Sequence, residues 1–163
     1  MKKHLLAIAI TVLAAGSALA QANDTLAKIK NSGAITLGVR ESSGLSYTLG
    51  NGKYVGFHTE MAEHIIADLQ KQLGLSKLEI KYQPITSQNR VPLVTNGTVD
   101  LECGSTTNNA TRAKDVAFAV TTYVEEVRIA TKANSGIESI KDLSGKTVAT
   151  TTGTTSVQTL RKH

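Results

Sequence analysis

The sequence predicts an α/β fold, with a central, mostly parallel sheet flanked by helices and then the start of a second, incomplete unit. Two observations lead to this prediction. Strand-like and helix-like segments alternate between residues 34 and 103, the pattern of parallel strands joined by covering helices. After residue 133 the chain offers only one strand-like segment and a short helical segment, too little for an independent domain.

The first 20 residues predict a cleavable signal peptide rather than part of the fold. Two lysines precede an apolar run over residues 5–15, and the segment ends in Ala18-Leu19-Ala20, the small-x-small pattern of a signal peptidase site. The run is shorter than the roughly 20 residues of a membrane-spanning helix, which disfavours an anchor. We therefore expect an exported chain.

The mature chain begins with a predicted helix and the strand that follows it. Asn23 or Asp24 is placed to cap the helix, and Gly33 is placed to end it. The alternating apolar residues of "AITLGV" then predict a strand over residues 34–39. Arg40 consequently falls at the carboxyl end of this strand.

A hairpin and the clearest helix of the sequence come next. The turn-forming "GNGK" at residues 50–53 folds "SYTL" back on "YVGF". Thr59 opens the helix and Gly74 follows its last turn. The apolar residues of this helix recur at helical spacing, at Met61, Ile65, Ile66, Leu69 and Leu73.

Two more strands, with a short helix between them, complete the predicted sheet. "LEIKYQP" alternates apolar residues until Pro84 stops the strand, and "TVDLEC" at residues 98–103 is the third strand. The short helix has Ser87 as its predicted cap and Gly97 beyond its end. In such sheets, ligands gather at the carboxyl ends of the strands.

The remaining segments predict the beginning of another unit. Residues 117–133 mix apolar and charged side chains as in a strand, and "IKDL" at 140–143 forms a short turn. A strand through Val148 and a helix that begins near Ser156 follow. We expect the chain to stop inside a second domain.

Three predicted loops combine an arginine with hydroxyl side chains: "RESS" at 40–43, "SQNR" at 87–90 and "STTNNATR" at 105–112. The fork of an arginine matches a carboxylate through two parallel hydrogen bonds, and hydroxyls complete the shell of the anion. "TTGTTS" at 151–156 adds a helix start, where free N–H groups favour an anion. For each arginine the alternative is an ordinary structural ion pair. Repetition of the pattern favours a ligand with two anionic ends.

Other kinds of site are disfavoured. The net charge of +5 is mild and scattered, which argues against nucleic acid. "LSGKT" lacks the first glycine of a phosphate-binding P-loop, because Ile140 stands at that position. His58 and His64 do not share a helical face well, so no metal site is predicted. Cys103 has no histidine near it in sequence, and we expect it to be buried rather than catalytic.

Three segments carry a resemblance to a known family: "GVRESSGLSY", "PITSQNRVPLVTNGTVDLECGSTTNNATRAKDVAFA" and "IKDLSGKTVATTTGTTS". They resemble the glutamate/aspartate-binding periplasmic proteins of amino-acid ABC transporters, a branch of the family 3 solute-binding proteins. The resemblance implies a periplasmic-binding-protein-like (type II) fold, with two α/β lobes and a two-strand hinge, that closes on a ligand. It also implies a non-catalytic, monomeric periplasmic subunit that needs no cofactor and delivers L-glutamate or L-aspartate to a membrane permease.

The resemblance further implies which residues hold the backbone end of the amino acid. Arg112 would grip the α-carboxylate. Ser105 and Thr107 would add hydrogen bonds beside it. Thr155, with Thr154, would reach the ligand from the second lobe.

A second set of residues is implied for the side chain of the ligand. Arg40, Ser87 and Arg90 would bind its carboxylate. This set would distinguish an acidic ligand from glutamine, whose amide carries no charge. No catalytic residue is implied.

By this resemblance the chain divides into a signal peptide at 1–20, a first lobe at 21–125, and a hinge strand with the start of a second lobe at 126–163. In the family the second lobe continues, contributes a histidine and an acid to the ligand, and contains a cysteine that could pair with Cys103. We therefore expect a truncated product whose affinity collapses, because closure and desolvation of the ligand are lost.

Two alternatives stay open from the sequence. An enzyme on the same fold, such as a dehydratase or a cell-wall lyase, would need an acid or base in the cleft, and Glu41 and Glu102 are the only nearby candidates. A glutamate at a strand end, however, is more often hydrogen-bonded or exposed. The other alternative is a non-functional fragment.

Overall fold

The computed structural model describes residues 24–162. The predicted signal peptide lies outside the described residues. Within them, no helix combines the length and the apolar character needed to cross a membrane.

The first helix and strand form as the sequence predicts. Helix α1 (Thr25–Ser32) begins after Asp24, whose Oδ1 accepts a hydrogen bond from the Ala27 N–H at 3.1 Å. The helix ends at Gly33, which has a left-handed φ of 64° and donates its N–H to the Ile29 carbonyl. Strand β1 (Ala34–Arg40) follows directly.

A small antiparallel sheet and a long helix come next. Strands β2 (Ser42–Ser43), β3 (Ser46–Gly50) and β4 (Lys53–Val55) form this sheet, with the predicted tight turn between β3 and β4. Helix α2 (Phe57–Gln72) starts two residues before the predicted Thr59. Thr59 is instead buried inside the first turn, where its hydroxyl bonds the Ser46 hydroxyl at 2.9 Å.

The close approach of α2 to the small sheet requires a glycine. Gly56 precedes the helix at a φ of +118°, and a Cβ at this position would lie 2.7 Å from the Leu45 carbonyl oxygen. The His58 N–H donates to that same carbonyl at 2.9 Å. The helix therefore begins where the chain crosses the start of β3.

The chain then forms two more strands around a short helix: β5 (Glu79–Ile85), α3 (Arg90–Thr95) and β6 (Leu101–Glu102). Pro84 was expected to stop β5, but the strand continues through it. Since β5 is an edge strand, the missing N–H of a proline is tolerated there.

The prediction of Ser87 as the cap of α3 is wrong. The residue before the helix is Asn89, and no side chain caps the first turn. Asn89 and Thr86 instead close the turn between β5 and α3, because the Asn89 Oδ1 accepts from the Thr86 N–H at 2.7 Å and the Asn89 N–H donates to the Thr86 hydroxyl at 3.2 Å. Ser87 is buried inside this turn.

The main sheet has the order β5-β1-β6, and both pairings are parallel. Arg40 at the end of β1 pairs with Ile85, and Gly38 pairs with Glu102. Strand β6 is shorter than the predicted 98–103, because the Val99 N–H bonds the Leu93 carbonyl in the turn after α3. The carboxyl ends of all three strands thus meet at one edge.

The core lies between this sheet and the helices α1 and α2. Its buried members are Ile29, Ile35, Leu37, Val39, Ala62, Ile66 and Leu78. Cys103 packs against their edge half-buried, as a free thiol. Burial, and less strongly the charge of Glu102, raises the pKa of Cys103 to about 11, so the thiol is protonated at neutral pH. The expected burial of this cysteine is therefore only partial.

The predicted strands at 117–133 and through Val148 do not form in the described chain. A strand is stabilised by hydrogen bonds to a neighbouring strand, and no residue between 24 and 162 pairs with these segments. The expected turn is a 3-10 helix over Ile140–Leu143, with reciprocal bonds between Ser139 and Asp142. Helix α4 (Thr155–Leu160) begins one residue before the predicted Ser156.

Candidate functional site

A cleft of about 500 Å³ opens at the carboxyl edge of the main sheet. Its walls come from α2, the first residue of α3, the end of β6, the loop after it, the segment 118–127 and the start of α4. The cleft brings together six of the residues predicted to bind a ligand: Ser87, Arg90, Ser105, Thr107, Thr154 and Thr155. The other two, Arg40 and Arg112, are not part of its lining.

Arg90 is the most deeply placed cation of the cleft. It is the first residue of α3 and only 3% exposed, and its Nε and Nη1 are buried without a hydrogen-bond partner in residues 24–162. Burial lowers the pKa of Arg90 to about 10, although the charge of Glu102 acts in the opposite direction. The guanidinium is therefore charged at neutral pH, with donors that no described acceptor uses.

Arg40 stands at the end of β1, beside the cleft. Its Nη1 donates to the Ile85 carbonyl at 3.3 Å, and its Nε is buried without a partner. Gly104 leaves space for this side chain, because a Cβ at residue 104 would lie 3.1 Å from the Arg40 Cγ and 2.5 Å from the Glu102 Oε1. Any larger residue at 104 would displace one of these two charged groups.

Arg112 joins the loop after β6 to the loop before α4. Its Nη1 donates to the Thr107 carbonyl at 2.9 Å and its Nη2 to the Gly153 carbonyl at 3.0 Å. The side chain of Asn109 fixes the backbone of Arg112 through a 3.0 Å bond to its N–H. A guanidinium has five N–H groups, so two carbonyl bonds leave donors for an anion.

The loop before α4 packs directly on the turn that contains Ser87. Gly153 has a φ of +76°, and a Cβ there would lie 2.5 Å from the Ser87 carbonyl oxygen and 2.7 Å from the Gln88 Cα. The Thr154 hydroxyl donates to the Thr151 carbonyl at 2.7 Å. These contacts hold the start of α4 at the cleft, which Thr154 and Thr155 line together with Arg90.

Sequence reasoning gave Glu102 no role in ligand binding, although it lines the cleft. It is neither exposed nor fully hydrogen-bonded, because its Oε1 is buried without a partner. Burial raises the pKa of Glu102, while the Thr106 hydroxyl and the charges of Arg90 and Arg40 lower it by less. The only signal in the sequence was an acid at the predicted end of a strand.

His58 also lines the cleft, and its Nε2 lies 2.9 Å from the Thr122 hydroxyl. Its ring therefore holds the segment 118–127 against α2. In the part of the chain that the structure describes, no group of three or more His, Cys, Asp or Glu side chains is placed to hold a metal ion.

Comparison with known proteins gives consistent relatives. The chain is 42% identical over 157 residues to the L-glutamate/L-aspartate-binding protein of Pseudomonas aeruginosa. The aligned residues cover 95% of this chain and 52% of that protein. The chain is 44% identical over 164 residues to the glutamate/aspartate import solute-binding protein of Escherichia coli, covering 96% and 54%. The chain thus spans about half the length of the curated relatives it matches, and these relatives are named as binding proteins, not enzymes.

Solved structures and family models agree on the fold. A crystal structure of a mutant of ArgBP from T. maritima matches with a TM-score of 0.69 at 24% identity, over 85% of this chain and 59% of that one. The fold is that of a type II periplasmic binding protein, of which the chain covers part. The model of bacterial extracellular solute-binding proteins, family 3, matches residues 35–162, and the chain therefore belongs to that family.

Proposed function

We propose that the chain captures L-glutamate or L-aspartate in the cleft at the carboxyl edge of the sheet, for uptake through an ABC transporter. The observation that carries this proposal is Arg90, a buried guanidinium in the cleft whose Nε and Nη1 donate to no described group. Buried donors are nearly always satisfied in folded proteins. A carboxylate is the acceptor that best matches two adjacent N–H groups of an arginine.

In this proposal the two ends of the amino acid bind different residues. The side-chain carboxylate binds Arg90, with Ser87 and Arg40 beside it. The α-carboxylate binds the remaining donors of Arg112, whose carbonyl bonds already fix its orientation.

Hydroxyl groups complete this arrangement. Ser105 and Thr107 line the cleft from the loop after β6, and Thr154 and Thr155 line it at the start of α4. Hydroxyls both donate and accept, so they suit a ligand that carries an ammonium beside a carboxylate.

The wider role is proposed on the same basis. The names of the relatives with 42–44% identity describe binding or import of glutamate and aspartate. We propose that this chain likewise acts outside the cytoplasm, in the periplasm, as a monomer that passes its ligand to a membrane permease. It performs no chemistry on the ligand and uses no cofactor.

The test is a titration of the purified, ¹⁵N-labelled chain with L-glutamate, L-aspartate and L-glutamine, followed by NMR. NMR is suited to this chain because it measures weak affinities and identifies the residues that respond. We expect both acids to shift the amide signals of Ser87, Ser105 and Thr107, and to bind at least tenfold more tightly than glutamine, about the value of one charge-assisted hydrogen bond.

Equal affinities for glutamate and glutamine would contradict the proposal. So would a folded chain whose cleft signals do not respond to either acid. D-glutamate has the same two carboxylates and serves as the control for non-specific attraction to a positive surface. It should shift the cleft signals less than the L-enantiomer.

A further inference from the structure

Glu102 is a half-buried acid in the cleft, with one fully buried carboxylate oxygen, and the proposed binding mode gives it no role. It is the last residue of β6, opposite Gly38 of β1. Its Oε1 is buried, accepts no hydrogen bond from residues 24–162, and forms no ion pair with them. Burying a carboxylate oxygen without a partner disfavours the ionised form, and burial accordingly raises the pKa of Glu102 above its ordinary value.

The groups that face Glu102 come from three elements. Arg90 approaches from α3, Arg40 from β1 and His58 from α2, and each acts electrostatically on the carboxyl. The Thr106 hydroxyl of the following loop lies beside it and lowers the pKa of the carboxyl as a nearby hydrogen-bond donor, although its geometry does not complete a hydrogen bond to Oε1. Arg112 acts on Arg90. The neighbouring thiol of residue 103 is neutral in the physiological range.

This cluster contains unpaired donors as well as the unpaired acceptor. Arg90 Nε, Arg90 Nη1 and Arg40 Nε are buried and donate to no described residue. Glu102 interacts electrostatically with both arginines, but no nitrogen of either arginine forms an ion pair with it. The donors are therefore free for a carboxylate that enters from the cleft.

A ligand carboxylate at Arg90 would bring a second negative charge to a cluster that already contains one. When two carboxylates share a buried site, one of them holds a proton, because both cannot ionise at close range. The ligand carboxylate gains the new donors of Arg90, whereas Glu102 has none to gain. The proton therefore goes to Glu102.

We propose that Glu102 takes up a proton from solvent when a ligand carboxylate binds at Arg90, and that this uptake makes Glu102 a specificity-determining residue of the cleft. An O–H bond forms on the carboxyl as the solvent loses one proton, and the new hydroxyl is a donor instead of a repelling charge. The inference rests on the proposed function, since it needs a ligand with a carboxylate at this end. Burial already raises the pKa of Glu102 in the free chain, which favours the uptake.

Glutamine provides the contrast. Its amide adds no charge beside Glu102, so its binding takes up no proton there. The preference of the cleft for glutamate over glutamine consequently increases as the pH falls. At the limit of one proton per ligand, the affinity for glutamate changes by about tenfold per pH unit.

The experiment follows Glu102 directly by ¹³C NMR. The side-chain carboxyl signal of Glu102 is titrated from about pH 4 to 8 with and without saturating L-glutamate, and the variant Glu102→Gln assigns the signal by removing it. We expect the ligand to move the titration midpoint to higher pH by about one unit or more. With L-glutamine at saturation, the midpoint should stay where it is in the free chain.

The affinities for both ligands over the same range form the second measurement. In the wild type, the affinity for glutamate should fall as the pH rises, by up to about tenfold per unit. In Glu102→Gln the affinity for glutamate should be independent of pH between about pH 5.5 and 8, where the side-chain carboxylate of the ligand is itself ionised. His58 faces the same carboxyl, so His58→Gln is the matched variant, and the pH dependence should persist in it.

The outcomes separate this inference from the proposed function. If glutamate binds in preference to glutamine but the Glu102 midpoint does not move, the proton coupling is wrong and the proposed function stands. A pH dependence that is lost in His58→Gln and kept in Glu102→Gln would assign the proton to the histidine and overturn the inference. If glutamate does not bind at any pH, both fail.

Discussion

At the scale of single residues, Arg90 in the cleft and Arg112 beside the loop that lines it differ in what surrounds them. Arg112 is held by two backbone carbonyls, whereas Arg90 has buried donors that no described acceptor uses. The carbonyl bonds fix the orientation of the Arg112 guanidinium, whereas the Arg90 guanidinium has unpaired donors that suit an acceptor. This difference underlies the assignment of the two ends of the ligand.

The assignment predicts different losses for variants of these two arginines. Arg90→Gln removes the donors to the side-chain carboxylate, which glutamine lacks. Hydrogen bonds to charged groups contribute about 1.5–3 kcal/mol, so the affinity for glutamate should fall by about 10- to 100-fold. The affinity for glutamine should fall by less than about threefold. NMR titration of the folded variant with both ligands measures these values.

Arg112→Gln is the matched control for this prediction, because the α-carboxylate is common to both ligands. It should weaken glutamate and glutamine by the same factor. Equal losses for the two ligands in Arg90→Gln would show that this arginine does not contact the side-chain end.

The residues of the site were predictable in part. Arg90 and Ser87 were found because an arginine beside hydroxyls forms a visible pattern next to a strand end. Glu102 was identified only as a possible acid or base near the cleft, and the burial of its carboxyl was not predicted, because burial of an acid depends on elements distant in sequence. The side chains that face it come from residues 40, 58 and 90, and the sequence around residue 102 does not indicate that these residues lie near it in the fold.

At the scale of elements, the loop before α4 depends on one glycine contact. The variant Gly153→Ala would place a Cβ 2.5 Å from the Ser87 carbonyl oxygen, so the loop must move away from the turn at residues 87–88. We expect the amide signals of Ser87 and Gln88 to shift and the affinity for glutamate to fall. NMR spectra of the variant measure both effects.

Gly136→Ala is the control that distinguishes the effect of this contact from the effect of backbone strain. Gly136 has a similar φ of +70°, but a Cβ there has no neighbour within 4 Å. Both variants lose the freedom of glycine, which costs about 1–2 kcal/mol. Gly136→Ala should therefore lower stability without shifting the signals of residues 87 and 88, and shifts of equal size in both variants would refute the contact.

The side-chain carboxylate of Asp100, the residue before β6, connects α1 with β1. Its Oδ1 pairs with the Lys28 ammonium of α1 at 2.8 Å, and its Oδ2 accepts from the Thr36 N–H of β1 at 2.9 Å. The side chain of Asp100 is only 3% exposed. We expect Asp100→Ala to lower the free energy of unfolding by about 1–3 kcal/mol, because it leaves the half-buried Thr36 N–H without its acceptor.

Asp68→Ala is the comparison for this prediction. Asp68 pairs with Lys71 at a similar 2.9 Å, but both side chains are largely exposed. Exposed pairs contribute about 0–1 kcal/mol. Urea unfolding should show a small loss of stability for Asp68→Ala and a larger loss for Asp100→Ala. Equal losses would mean that the link through Asp100 does not stabilise the sheet.

Local patterns predicted most elements up to residue 102, although they misplaced the cap of α3 and the bounds of β5 and β6. A capping side chain, a glycine at a left-handed φ and alternating apolar residues all act within a few residues, and they gave α1, β1 and the hairpin. The segment 117–133 has an equally strand-like composition but forms no strand in the described chain. A segment forms a strand only when it pairs with a neighbouring strand, and the composition of the segment does not indicate whether such a strand is present.

At the scale of the whole molecule, the stability should depend on pH through Glu102. Burial raises the pKa of this carboxyl in the folded chain above its value in the unfolded chain. As the pH rises above about 4, the unfolded chain releases this proton first, so the ionised form destabilises the fold. The stabilisation of the neutral form is complete at low pH and is lost as the pH rises through the folded pKa.

Glu102→Gln removes this titration. We expect its stability relative to the wild type to increase as the pH rises from about 4 to 7, since the variant has no charge to bury. Urea unfolding at several pH values measures the difference between the two proteins. A difference that is independent of pH would mean that the carboxyl is solvated in the folded chain.

The chain spans about half the length of its curated relatives, yet the cleft is lined on both sides by described residues. The central claim is that this cleft binds the two carboxylates of an acidic amino acid at different arginines. A crystal structure of the chain grown with saturating L-glutamate tests it most directly. We predict the side-chain carboxylate within hydrogen-bond distance of Arg90 Nε or Nη1 and the α-carboxylate on Arg112. A cleft without glutamate, or the reverse orientation of the ligand, would contradict the claim.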